Sequence, residues 1–250
     1  DISQSPDGII YLSSGCEIVR QKALKDGSAK VWPLKMSVNT KDAEGNVVVR
    51  KLFLRAATKS ERHSWFAAVS SATSCVNYIA ETKEAVEKPD PRILSFIASG
   101  EATSVYELFV DYRPLSVASV NALRKGILYH DELATLSLQQ AQIGNEGLDK
   151  LVTSLDKLSN LEALRLSGNR LSSDSVSNAL KAISAQNKKL RELDLSNNLL
   201  DGSIVESLGI LLKQNPKLHY LNLSGNMFGD DGVELLAQVL SETNAVIPTL

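Results

Sequence analysis

Leu190-Arg191-Glu192-Leu193-Asp194-Leu195-Ser196-Asn197-Asn198-Leu199-Leu200 decides the fold of most of this chain. Its pattern, Leu-x-x-Leu-x-Leu-x-x-Asn-x-Leu, returns from Leu161 with Asn169 and Leu171, and from Leu218 with Asn226 and Phe228. It returns again from Leu133, with Ala141 and Ile143 in the last two slots. The starts at Leu133, Leu161, Leu190 and Leu218 lie 28, 29 and 28 residues apart. A fixed period of this length marks a stacked-repeat architecture. The spaced leucines, such as Leu161, Leu164 and Leu166, point inward from a short strand. The asparagine tucks its amide under the following turn, where it satisfies backbone groups of neighbouring turns. Asn169, Asn198 and Asn226 are therefore read as structural, and Ala141 interrupts their ladder.

A helix follows each strand. Leu148, Leu151, Leu155 and Leu158 form the apolar face of one; Val176, Leu180 and Ile183, then Ile204, Leu208, Leu211 and Leu212, then Val233, Leu236, Val239 and Leu240 form the others. No repeat can bury such a face alone, so stability comes from stacking. One period before Leu133, Val105, Leu108, Val110 and Leu115 fill the template with Arg113 in the asparagine slot. This is a degenerate first repeat. Asn244 to Leu250 reads as the entry to another, which predicts further repeats or a cap beyond Leu250.

Residues 1–88 carry no repeat. Gly8-Ile-Ile-Tyr-Leu12, Glu17 to Arg20, Val31 to Val38 and Asn46 to Ala56 are β-prone runs, the last after the turn-forming Asp42 to Asn46. Thr58-Lys-Ser-Glu61 matches a helix capping box. Behind it, Trp65, Val69, Ala72, Val76 and Ile79 recur at helical spacing and predict one apolar helix face. Pro89-Asp90-Pro91 marks a boundary, and Arg92 to Ala98, ended by Gly100, a short linker helix within residues 89–104.

Two resemblances follow. Repeats of this length with a full helix, over residues 105–250, resemble the ribonuclease-inhibitor class of leucine-rich repeats. Gly8 to Leu12, Gly15-Cys16, Val19, Trp32 to Met36 and Arg50 to Val69 resemble the second half of a pleckstrin-homology (PH) domain. That resemblance implies that Trp65 plugs one end of a barrel and that residues before Asp1 complete it. The expected fold is thus α/β: a solenoid with a curved parallel sheet inside and helices outside, preceded by the second half of a PH-like β-barrel with its C-terminal helix. A PH-like module, a linker helix and such repeats, in that order, resemble the N-terminal part of the CARMIL family of membrane-associated regulators of actin-filament capping. The resemblance implies a cytoplasmic protein at membrane or cytoskeleton.

Composition serves mainly to exclude. The chain has 250 residues, 43% of them hydrophobic, and a formal net charge of −2. That is ordinary globular composition, and nucleic-acid binding is disfavoured because no basic, aromatic-interleaved stripe appears. No apolar run approaches the ~20 residues of a membrane-spanning helix, and the start lacks a signal-peptide pattern. Cys16 and Cys75 are too few for a disulfide framework and lack metal spacing; both are read as small buried groups of a reducing compartment. Asn222-Leu-Ser224 matches a glycosylation sequon by chance. His63, His130 and His219 have no neighbouring ligand or nucleophile, and no phosphate-loop, dinucleotide or nucleophile-elbow motif appears. Asp230 and Asp231 open a helix, where they favour its dipole. No catalytic residue, metal or cofactor is expected.

Strand residues between the inward leucines project onto the concave face. The candidate protein-binding set is Glu107, Phe109, Asp111, Arg165, Glu192, Asp194, Tyr220 and Asn222, with the aromatics and Arg165 as anchors. Lys25, Lys30, Lys35, Arg50 and Lys51 are the candidate lipid-facing residues for an anionic membrane, although residues 1–90 balance 13 Lys/Arg against 11 Asp/Glu. The expected function is a non-enzymatic interaction scaffold. Its repeats bind protein, and its PH-like module contacts a membrane or stabilises a homodimer. The alternative is a small-GTPase regulator of the Ran GTPase-activating type, which shares the repeat class but begins with repeats.

Overall fold

The computed structural model describes residues 17–20, 24–26, 29–41, 47–85, 87–99, 106–128, 130 and 132–243. The chain divides into two compact units, residues 1–88 with 100–102, and residues 89–99 with 103–250. The run Gly8 to Leu12, Cys16 and Asn244 to Leu250 lie outside the described residues.

In the first unit β1 (Glu17–Arg20) and β2 (Leu24–Asp26) pair antiparallel with successive stretches of β3 (Ala29–Lys41). Between those stretches, where β3 bonds to neither, lies Pro33, which has no N–H to give. Strand β4 (Val47–Ala56) pairs with β3 from Trp32 to Lys41. Helix α1 (Lys59–Glu84) packs on β1, β3 and β4. Its start is a capping box: the Glu61 amide donates to Thr58 Oγ1 at 3.0 Å, and Glu61 Oε2 accepts the Ala57 amide at 2.9 Å. The carboxylate thus reaches one residue beyond the cap itself.

The apolar stripe expected to face inward on α1 does not. Trp65 is 39% exposed and Ile79 46%, Ala72 is exposed, and Val69 and Val76 are half-buried. The buried face is Ala67, Ser70, Ser71, Thr73, Ser74, Tyr78 and Thr82. Small residues let a long helix lie close to a sheet, and here close approach outweighs side-chain hydrophobicity. Among the described residues Trp65 is thus part of the exposed face of α1 rather than of its buried one. Cys75 is half-buried rather than buried, and desolvation raises its thiol pKa.

The second unit opens with α2 (Pro91–Ser99), whose proline sits at the first helical position, where no N–H is required. Asp90 Oδ1 accepts the Arg92 amide at 2.8 Å as the cap. Ile93, Phe96 and Ile97 are buried, and α2 packs on α3 (Val117–Ile127). The helix expected as a linker thus covers the first repeat of the stack.

Five strands follow, β5 (Glu107–Phe109), β6 (Thr135–Ser137), β7 (Ala163–Arg165), β8 (Glu192–Asp194) and β9 (Tyr220–Asn222), in one parallel sheet of that order. Leu108, Leu136, Leu164, Leu193 and Leu221 stand in register and are all buried. Alternating with the strands are α3, α4 (Gly144–Leu155), α5 (Ser173–Gln186), α6 (Val205–Gln214), entered through a 3-10 turn at Gly202–Ile204, and α7 (Gly229–Thr243). Each helix packs on the next. Neighbouring strands lie about 4.8 Å apart and packed helices about 8–10 Å, so the stack must curve with the sheet inside. Val233, expected in the α7 core, is 57% exposed; Leu236 alone of its set is buried.

The turn after each strand uses one device. Tyr112, Gln140, Gly168, Asn197 and Gly225, each one period from the next, all have positive φ, between 50° and 69°. The next residue fills the asparagine slot. Asn169 Nδ2 donates to the carbonyls of Leu138, Leu166 and Ser167, and its Oδ1 accepts the Ile143 amide. Asn198 and Asn226 repeat the arrangement one and two repeats on. In the first repeat Arg113 does not enter the slot; its guanidinium is exposed and lies 3.7 Å from Asp90.

A second polar row runs where the helices return to the strands, unannounced by the leucine pattern. Asn187 Nδ2 donates to the carbonyls of Leu158 and Leu161 at 2.8 Å each, while its Oδ1 accepts the Lys189 and Leu190 amides. Asn215 Oδ1 also accepts the Leu190 amide. Three residues before Leu133, in the same slot, stands buried His130, whose Nε2 is 2.8 Å from the Phe96 carbonyl. A carbonyl only accepts, so Nε2 carries the proton. His130 thus ties α2 to the first repeat as the asparagines tie later repeats.

Candidate protein-binding face

Two rows of side chains cross the sheet on the face away from the helices. Register aligns Glu107, Thr135, Ala163, Glu192 and Tyr220 in one, and Phe109, Ser137, Arg165, Asp194 and Asn222 in the other. At a strand spacing of about 4.8 Å each row is roughly 19 Å long.

The face is uneven. At the β5 edge Glu107 is exposed and Phe109 is 43% exposed. Thr135, Ser137 and Ala163 beside them are buried, so the floor there is shallow and small. In the middle, Arg165 Nη2 bonds Glu192 Oε2 at 2.6 Å, both half-exposed. At the far edge Tyr220 and Asn222 are half-buried, with Asn222 Nδ2 3.3 Å from the Tyr220 hydroxyl.

Three predicted contact residues serve the turns. Asp194 is 9% exposed, and its Oδ1 accepts the amide and hydroxyl of Ser196. Asp111 Oδ1 accepts the Ser137 hydroxyl at 2.8 Å and the Gln139 amide at 2.7 Å. Asn222 does for Ser224 what Asp194 does for Ser196, so the two ends of the apparent sequon bond each other. For Asp194 and Asn222 the pattern Asp/Asn-Leu-Ser, one polar acceptor two residues before a serine, is the local signal that could have shown this; Asp111, before Tyr112 and Arg113, lacks it. Ser167 and Ser196 share a hydrogen bond of 2.9 Å, closing the floor between β7 and β8.

The candidate lipid-facing residues are not brought together in the same detail. Backbone register sets Lys25 opposite Lys30, Lys35 opposite Phe53, Lys51 opposite Ser37 and Arg50 opposite Val38. Lys35 is half-exposed; the side chains of the other four lie outside the described part of the structure. Among the described residues no group of His, Cys, Asp or Glu could hold a metal ion, and no helix is long and apolar enough to cross a membrane.

Leucine-rich-repeat family models match residues 189–211 and residues 214–237, and the chain carries repeats of that kind. No curated protein matches the sequence. Among solved structures, the tropomodulin C-terminal domain from Caenorhabditis elegans is similar at 12% identity and a TM-score of 0.45, over 58% of this chain and 87% of that one. Leiomodin-1 actin-binding site 2 is similar at 15% identity and a TM-score of 0.40, over 56% and 83%.

Proposed function

We propose that the protein is a non-enzymatic scaffold that binds a protein partner across the exposed face of its repeat sheet. The observation that carries the reading is what the fold leaves unused in the two aligned rows. Phe109 and Glu107 stand exposed at one edge and Tyr220 half-buried at the other, with the half-exposed Arg165–Glu192 pair between. Aromatic and arginine side chains on a rigid sheet lose little freedom on docking, which makes them efficient anchors. Asp194 and Asp111 set turn geometry and contribute indirectly.

The finer reading is a regulator of the actin cytoskeleton of CARMIL type. Its support is the order of modules: an antiparallel sheet with a closing helix, taken as the second half of a PH-like module that contacts anionic membrane or a second copy, then α2, then the repeats. Nothing in the geometry favours the GTPase-regulator alternative.

Proteins captured from cell extract by the full chain, identified by mass spectrometry, test both levels. A partner lost on Phe109→Ala with Tyr220→Ala, while the thermal melt is unchanged, supports face binding; a partner set untouched by that pair overturns it. Recovery of actin-capping protein supports the finer reading, and its absence together with no effect on capped-filament growth removes it.

A further inference from the structure

The repeat unit separates its charges across its two rims. The rim carrying the helix N-termini holds Glu146, Asp174, Asp201, Glu206, Asp230, Asp231 and Glu234, all exposed, with the exposed Arg170 as an exception among them. The opposite rim, where helices return to strands, carries Lys188, Lys189, Arg191, Lys213, Lys217 and His219, also exposed. The basic stretch is bounded by Asp156 and Glu162 on one side and Glu242 on the other. All the helices run in one direction, so each charge complements the nearer end of a helix dipole. That accounts for the signs, but not for the arrangement of the basic rim.

Two of its cations are tied to neighbouring repeats. Lys189 Nζ bonds Asn160 Oδ1 and Lys188 Nζ bonds Gln214 Oε1, each spanning to the adjacent repeat. These acceptors are neutral and leave the charges unmatched. Among the four lysines and Arg191, Arg191 alone has an acidic partner, Glu162 at 3.5 Å. Lys189 and Lys217 occupy the same slot of consecutive repeats. Equivalent slots fall between the strand spacing of about 4.8 Å and the helix spacing of about 10 Å. Same-face side chains of an extended peptide recur every 6–7 Å, within that range.

We propose that this rim, from Lys188 to His219, docks an acidic, extended segment of a protein partner laid along the repeat axis. A membrane fits less well. The cations come from two neighbouring repeats rather than a broad plane. On the rim itself, residues 187–191 and 213–219, Pro216 is the only exposed apolar side chain, while the exposed Leu199 and Ile210 lie in the turn after β8 and on α6. The rim is distinct from the sheet face, so the proposal stands or falls apart from the face-binding reading.

The test is fluorescence anisotropy of a labelled oligoglutamate peptide with the full chain, against a glycine–serine peptide of equal length and phosphatidylserine vesicles. Saturable oligoglutamate binding is expected, weakening as salt rises. Lys213→Glu with Lys217→Glu should weaken it roughly tenfold. Asp230→Lys with Asp231→Lys, and Phe109→Ala with Tyr220→Ala, should not weaken it. Lys213→Gln with Lys217→Gln gives a smaller loss in the same direction and serves if the reversed pair folds poorly. No preference for oligoglutamate over glycine–serine, loss by the acidic-rim variant equal to that of the basic-rim variant, or vesicle binding that depends on Lys213 and Lys217 without peptide binding would each overturn the proposal.

Discussion

Asn198 Oδ1 accepts the backbone amides of both Asn169 and Leu171 at 3.0 Å, so one side chain closes the turn of the preceding repeat while its own amide closes the turn it belongs to. Asn198→Leu keeps the volume and removes every one of these bonds. Several buried backbone groups lose their partner, each worth about 1–3 kcal/mol. We expect a loss of roughly 3 kcal/mol and a melting temperature lower by roughly 6–12 °C. A thermal melt by circular dichroism checks it, and an unchanged melt would remove the structural role assigned to the slot.

Tyr112 offers the opposite experiment. It has a φ of 58° where later repeats have Gly168, Asn197 and Gly225. A left-handed backbone costs an L-residue about 1–2 kcal/mol, against roughly 0.5–1 kcal/mol of extra chain entropy for glycine. The Tyr112 side chain is exposed, so little packing is lost. Tyr112→Gly should therefore stabilise by up to about 1 kcal/mol, read as a rise of a few degrees in melting temperature. A fall would mean that the tyrosine contributes contacts outweighing its backbone strain.

The repeat was legible because its signal is redundant: the same five slots recur, and Leu136, Leu164, Leu193 and Leu221 have to face the same core. Even the degenerate repeat at β5 kept Leu108 in register with Leu136. The first unit offered no such redundancy. One period of hydrophobicity in α1 pointed to Trp65 and Ile79, whereas the buried face of the helix carries Ala67, Ser70, Ser71 and Ser74. Small residues signal proximity only when the opposing surface is known. The row of His130, Asn187 and Asn215 escaped for a related reason. Leu158 stands among them in the same slot, and a position that accepts leucine, asparagine and histidine has no compositional signature. On the sheet face, residue type alone could not separate Asp194, spent on Ser196, from Glu192, half-exposed and paired with Arg165 on the surface.

Asp90 makes the packing of α2 sensitive to acid. Burial pushes its carboxyl pKa up, but the hydrogen bonds and charge of Arg92, with the charge of Arg113, outweigh this and hold it below the ordinary 3.8. A lowered folded-state pKa means that the ionised cap stabilises above the unfolded value and that this contribution is lost as pH falls through the folded value. The difference in melting temperature between the wild type and Asp90→Asn should be constant above about pH 5 and shrink below about pH 4. A difference that grows on acidification would reverse the assignment.

Phe96 and Gly126 show that α2 belongs to the repeat stack rather than to a linker. A Cβ on Gly126 would lie 2.7 Å from Phe96 Cε1, and the Phe96 ring lies 4.3 Å from that of His130 at a 34° tilt. Gly126→Leu gains helix propensity, about 1 kcal/mol, but it must displace a buried ring, and overpacking costs about 1–3 kcal/mol. Displacement should win. Hydrogen exchange should then rise across Arg92 to Ser99 while the amides of β7 and β8 keep their protection. Phe96→Ala opens the space that the new leucine needs, so the double variant should lose less than the sum of the two single losses. Additive losses would mean that the two residues do not meet, and uniform loss of protection across all repeats would mean that α2 nucleates the stack instead of covering its end.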